Sequence, residues 1–304
     1  MAYQEVNSVA TPEVLINHLV NFCEGAGWFV ERNTLNAGFR TATIRKVGVT
    51  DYIHIYNTDL TNVRMRISVG YDPLLSVANQ PNVSGECRTL LNAGAYPKAF
   101  MFASQDQVWL AVAIAASGEY RHLCFGRLEK AGVYDGGAYI DGMVWPGGSW
   151  YATWTQNRWP FAPANVGGSG YLRADVPDDG KSNYFFQTGG AAGSSAAYGE
   201  AGDSGRAALL SAYADDNAFS GRTILHAIPI MIGRTGSRLY FSPAGVVQDV
   251  RVCSIQKFEP EQEITIGTDV WKLFPIVAKR PMNSTTGVQP AASGNYGYAI
   301  KKVA

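Results

Sequence analysis

Charge is what this chain has least of. Only 16% of its 304 residues are charged, below the usual quarter, and the 25 basic and 25 acidic residues cancel. No block of like charge runs beyond a few residues, so the basic stripe that non-specific nucleic-acid binding needs is missing. No apolar run approaches the roughly 18 residues of a membrane helix; the longest, Val108 to Ala116, is short and strand-like. Neither nucleic acid nor membrane is therefore expected as a partner. The first residues, Met-Ala-Tyr-Gln-Glu-Val, lack the basic and apolar regions of a signal peptide, so folding in a cytoplasm is expected. Cys23, Cys87, Cys124 and Cys253 lie far apart with no CxxC pair. That spacing argues against zinc and for buried, reduced thiols. No internal repeat and no linker between autonomous domains is visible.

What the chain does have is glycine, 33 residues, with 14 prolines and 46% apolar residues. That composition fits many turns between short strands. Thr11-Pro12-Glu13 opens a helix: Thr as N-cap, Pro at the first helical position and an early acid. Leu15, Leu19, Phe22 and Ala26 recur at helical spacing, Ile16, Val20 and Cys23 widen the stripe, and Gly25 and Gly27 end it. Trp28 to Arg32 reads as the first strand, followed by Phe39 to Arg45 and Tyr52 to Tyr56. Val63 to Val69 alternates, with Val63, Met65, Ile67 and Val69 on one face and Arg64, Arg66 and Ser68 on the other. The two arginines read as solvated or cross-strand paired. Residues 74 to 97 read as a long loop. Phe100 to Ala103, Val108 to Ala116 and Tyr120 to Leu128 form a meander whose middle strand, apolar on both faces, belongs at the centre of the core. Further strands are expected at Thr223 to Ile232, Arg238 to Phe241, Val246 to Ile255, Glu263 to Ile266, Val270 to Ala278 and Tyr296 to Lys302. The fold class is mainly β, a β-sandwich or barrel-like antiparallel meander with one N-terminal α-helix.

The densest run of glycines and aromatics is Glu119 to Trp145. It reads as the exit of the core meander, with Phe125 and Leu128 inward and Tyr134 and Tyr139 facing either the core or a neighbour. Gly126, Gly132, Gly136 and Gly137 are expected where side chains are forbidden. A soft organisation follows: 1–145 a helix plus β module, 146–220 a Gly/Trp-rich insertion, and 221–304 a C-terminal β module continuous with the first. Within the insertion, 188 to 205 reads as an exposed loop of low complexity and Arg206 to Tyr213 as a short helix.

Chemistry is thinly signalled. Gly202-Asp203-Ser204-Gly205 spells the tetrapeptide around a trypsin-like nucleophile, but none of His18, His54, His122 or His226 lies in a matching motif, so coincidence is the better reading. Asp175, Asp178 and Asp179, and Asp215 with Asp216, lack the alternation of a calcium loop and read as turn and helix-end acids. His122 and His226 lie in apolar strands and read as satisfied core or interface residues. Trp145, Trp150, Tyr151, Trp154 and Trp159 can stack on a sugar, anchor an interface, or simply pack. No catalytic residue, cofactor or metal site is expected.

The run Cys124 to Tyr139 contains Phe125-Gly126-x-Leu128-x-Lys130 followed by Gly132-x-Tyr134-x-Gly136-Gly137-x-Tyr139. This pattern resembles one found in tail-module structural proteins of tailed bacteriophages. Gly27-Trp28 after the helix, Gly70-Tyr71-Asp72 with Asn79-Gln80-Pro81, Glu263 to Gly267 leading to Leu273-Phe274-Pro275, and Gly297 to Lys301 support it. Residues 146 to 215 depart from the pattern. The resemblance implies a non-enzymatic virion component of the tail or baseplate, partnered with itself in a ring or trimer and with other tail proteins. A module that binds a host receptor or surface glycan through the 145 to 159 aromatics, or a head-decoration or head-tail joining protein, is the alternative.

Overall fold

The computed structural model describes residues 1–91, 94–115, 118–143, 160–161, 170–175, 185–188, 223–234, 240–279 and 296–303. It is mainly β, with antiparallel sheets and a single α-helix among the described residues. The helix, α1 (Pro12–Gly25), starts where the sequence places it, but the Thr11 hydroxyl donates to the Glu13 carboxylate and makes no cap bond to the backbone. Leu15, Ile16, Leu19, Val20 and Cys23 are fully buried, each large side chain contributing roughly 1.5–3 kcal/mol. A helix this short depends on such packing.

The strands form three sheets. The central one holds, in order across the sheet, β1 (Ala2–Val9), β7 (Tyr96–Ala103), β8 (Gln107–Ala115), β9 (Glu119–Arg127), β11 (Asp135–Asp141), β12 (Gly170–Asp175) and β13 (Phe185–Thr188). A second contains β2 (Trp28–Asn36), β3 (Phe39–Lys46), β4 (Tyr52–Tyr56), β5 (Asn62–Ser68) and β6 (Cys87–Leu90). The third runs β10 (Glu129–Lys130), β15 (Tyr240–Ser254), β18 (Tyr296–Val303), β17 (Asp269–Pro275) and β16 (Glu263–Ile266), with β14 (His226–Arg234) along the other edge of β15.

The middle strand of the meander explains the layering. Val108, Leu110, Val112 and Ile114 of β8 face one core, shared with α1 and with Ile44, Ile55, Met65 and Ile67 of the second sheet. Trp109, Ala111 and Ala113 face the other, shared with Val250, Phe274 and Tyr298 of the third sheet. The central sheet is thus sandwiched and apolar on both faces, as its sequence required. Residues 69–84 cover part of the outer face of the second sheet. Tyr71 stacks on Tyr52 at 5.6 Å, and the buried Gln80 amide ties the strap together through the Asp72 N–H and the Asp72 and Leu75 carbonyls. Arg64 and Arg66 are paired across this face: Arg64 with Glu86 at 2.8 Å and Asp59 at 2.7 Å, Arg66 with the Ser84 carbonyl at 2.7 Å.

Several expectations are corrected. Trp28 does not open the first strand, because β1 precedes it and pairs with β7. Residues 74–97 are not all loop; they hold β6, paired with β5, and the start of β7. The two strands expected from 238 to 255 are one continuous β15, and the strand expected to reach Ala278 ends at Pro275. The third sheet takes in β10 of the N-terminal part beside the C-terminal strands and shares the second core with the central sheet.

Candidate functional site

The run 119–141 is the joint between two sheets. β9 lies in the central sheet, the chain crosses so that Glu129 and Lys130 pair with Val246 and Gly245 of β15, and β11 returns to the central sheet beside β9. Ala131 N–H donates to the Ala244 carbonyl at 2.9 Å, and the Tyr134 hydroxyl donates to the same carbonyl at 3.0 Å. Leu128 N–H closes the crossing by donating to the Gly137 carbonyl at 2.9 Å.

Each residue of the signature now has a place. Phe125 and Leu128 are both buried, but in opposite cores; Phe125 meets Trp28 edge-on at 5.5 Å. Tyr139 belongs to the second core, T-shaped against Phe161 at 5.5 Å, and burial raises its phenol pKa well above the ordinary value. Tyr134 is partly buried against that core and is pushed up to about 12 by burial. Lys130 is exposed and donates to the Tyr134 carbonyl at 2.6 Å. A Cβ on Gly126 would sit 2.3 Å from the Asp106 carbonyl oxygen, and one on Gly136 would sit 2.5 Å from that of Arg173, where φ is also +102°. Gly137 has φ +94°. Gly132 corrects the expectation: it has open space around it and no positive φ, so nothing in its backbone demands glycine.

The aromatic candidates Trp145, Trp150, Tyr151, Trp154 and Trp159 lie outside the described residues. So do Ser204 with its tetrapeptide, Asp178, Asp179, Asp215 and Asp216, the 189–205 segment and the 206–213 helix. Asp175 ends β12, in register with Asp135.

The described histidines that sit in the core are held by specific bonds. His122 accepts the Trp109 indole N–H on Nδ1 at 3.1 Å and donates from Nε2 to the Pro275 carbonyl at 2.9 Å, tying the central sheet to the third. His54 sits between Thr43 and Ser68. Because Ser68 Oγ donates to the Gly70 carbonyl, it accepts from His54 Nε2, so Nδ1 accepts from Thr43. Burial lowers both rings to about 4, so both are neutral at pH 7. His226 is only half-buried, at the start of β14. All four cysteines are buried and unbridged, and burial raises the thiols of Cys23, Cys124 and Cys253, the last to about 12. A buried pair, Arg173 with Asp51 at 2.8 Å, joins β12 to the β3–β4 turn. Burial raises the Asp51 pKa even against the lowering effect of Arg173.

Sequence reasoning missed the His122–Trp109 and His54–Thr43 bonds, which depend on strand register. It also missed the Asp51–Arg173 pair, whose partners are far apart in sequence. Among the described residues, no group of three or more His, Cys, Asp or Glu is placed to share a metal ion, and no helix is long and apolar enough to cross a membrane. No protein-family model matches the chain, and no curated protein matches it.

Proposed function

We propose that the chain is a non-enzymatic structural component of a tailed-bacteriophage virion, in the tail or baseplate, acting through contacts with its own copies and with other virion proteins. The observation that supports the assembly half of this reading is the β2–β3 hairpin. Among the described residues β2 has a strand neighbour on one side only, and Phe29, Leu35 and Phe39 stand 46%, 56% and 37% exposed along it. An open strand edge carrying large apolar side chains is a template for a neighbouring chain. The hairpin turn also holds Ala37 at φ +49°, a conformation that disfavours a Cβ. The virion half of the reading rests on the resemblance of the 124–139 pattern.

The test is direct. The purified chain is expected to form a defined oligomer by light scattering, and Leu35→Asp with Phe39→Asp to reduce it to monomer without loss of fold by circular dichroism. Mass spectrometry of purified virions is expected to find the chain. A strictly monomeric wild type that is also absent from virions would overturn the proposal.

A further inference from the structure

Beside the joint, the second core holds polar atoms that the fold leaves unsatisfied. Gln107 opens β8 and is completely buried, yet neither Oε1 nor Nε2 of its amide has a hydrogen-bond partner among the described residues. Tyr139 of β11 is 1% exposed, and its hydroxyl is likewise without a partner among them. Both residues lie in one row of the central sheet: Gln107 is in register with Gly126 of β9, and Gly126 with Tyr139. They also share a face. Tyr139 packs in the second core, as does Trp109, two residues along the strand from Gln107. The two backbones are two strands apart, roughly 9–10 Å, and the residue between them is a glycine.

The chain cannot fill that position. A Cβ on Gly126 would sit 2.3 Å from the Asp106 carbonyl oxygen and 2.7 Å from the Gln107 Cα, so the close approach of β8 forbids a side chain there. A buried amide or hydroxyl left unbonded is costly, and such groups are ordinarily satisfied by protein or by ordered water. Three polar atoms around a position without a side chain meet the needs of a buried water, which takes two to four partners. The amide offers a donor and an acceptor, and the phenol offers both. Burial, and after it the neighbouring Cys124, Asp141, Asp249 and Asp106, hold the phenol protonated. All three atoms are therefore on neutral groups, and no ion is called for. Solvent comes close: Asp106, the residue before Gln107, borders with Asp249 a cavity of about 460 Å³.

We infer that ordered water occupies this gap and bridges the Tyr139 hydroxyl to the Gln107 amide, tying β8 to β11 across the glycine of β9. Gly126 then has two roles: it permits the close approach of β8 and it leaves room for the bridge. The inference is independent of the assembly reading.

Water-deuteron magnetic relaxation dispersion of the full-length chain counts long-lived internal waters. Gln107→Met with Tyr139→Phe replaces both polar groups by apolar ones of similar shape, a change expected to keep the fold. This double variant is expected to lose at least one long-lived water relative to wild type; an equal dispersion in the folded variant would overturn the proposal. Melting temperatures give a second reading. Each single variant is expected to melt lower than wild type, and the double variant no lower than the worse single, because the two groups share one bridge. Additive losses would overturn the bridge. A crystal structure of the wild type needs no variant to fold. It is expected to show water within hydrogen-bond distance of both side chains; a direct bond from the Gln107 amide to the Tyr139 hydroxyl, or an empty gap, would overturn the proposal.

Discussion

His54 and His122 set the acid limit of this fold. Both are fully buried, and both rings are held neutral by a donor on one nitrogen and an acceptor on the other. In the folded chain they titrate at about 4 because burial disfavours the charged ring; in an unfolded chain histidine titrates at about 6.5. Below pH 6.5 the unfolded state therefore binds protons that the folded state does not. Stability is fully present above that pH and is lost as pH falls toward 4. Each ring contributes about 1.4 kcal/mol per pH unit in mid-window. For two rings the loss is about 2.5 kcal/mol between pH 7 and 5.5, and about 5 kcal/mol by pH 4.5. A domain has about 5–15 kcal/mol in total, so the second figure is enough to threaten folding. Asp59, Glu86 and Glu263, whose pKa values are lowered in the fold, lose their stabilisation only further down, through the carboxylate range. Urea unfolding followed by tryptophan fluorescence at pH 7, 5.5 and 4.5 measures the slope. His122→Gln removes one titrating ring and is expected to halve the slope between pH 6.5 and 5, whatever it does to stability at pH 7. Flat stability from pH 7 to 5.5, or an unchanged slope in both His122→Gln and His54→Gln, would refute the reasoning.

Two further predictions concern the buried Arg173–Asp51 pair and the joint. Arg173→Met leaves the Asp51 carboxylate buried without its partner and is expected to cost about 3–5 kcal/mol. Asp51→Leu combined with Arg173→Met should recover most of that in urea unfolding, and simple additivity of the two single losses would count against the pairing. Gly136→Ala combines φ +102° with a Cβ 2.5 Å from the Arg173 carbonyl and is expected to cost about 1–3 kcal/mol. Gly132→Ala, in open space a few residues earlier, should stay within about 0.5 kcal/mol. Melting temperatures of the two variants that fell by the same amount would show that the loop geometry is wrong.

Much of the fold was legible because its strongest patterns are local. α1 follows from a cap-and-proline start and a 3.6-residue stripe, and the burial of Val63, Met65 and Ile67 follows from alternation. β8 was recognisable as central because both of its faces are apolar. β1 was not legible: as an edge strand it carries Gln4, Glu5, Asn7 and Ser8 and shows no alternating apolar face. β6 is four residues long and β10 two, too short for any period to register. The site chemistry was least legible, because register makes it. His54 becomes a bonded core residue only because β4 lies opposite Thr43 of β3. The cavity beside Asp249 draws on five separated segments.

The strands β9 and β11 of the glycine- and aromatic-rich run at 119–141 are kept away from any partner by the layering itself. A strand with a core on each side has no face left for a ligand: Phe125 looks into one core and Tyr139 into the other, and the short β10 between them is paired into the third sheet. What this run does is fix two sheets to one another, because β9 is paired in the central sheet and β10 in the third. Part of the outer face of the second sheet is also occupied, by the 69–84 strap and the Arg64–Glu86–Asp59 bonds. The exposed apolar side chains of the described residues lie instead on turns, loops and hairpins, Val133 in the turn of this run and Leu74 in the 69–84 strap among them. The hairpin at Leu35 and Phe39 is exposed in the same way, on the β2 edge of the second sheet. An open strand edge that carries apolar side chains favours another sheet edge.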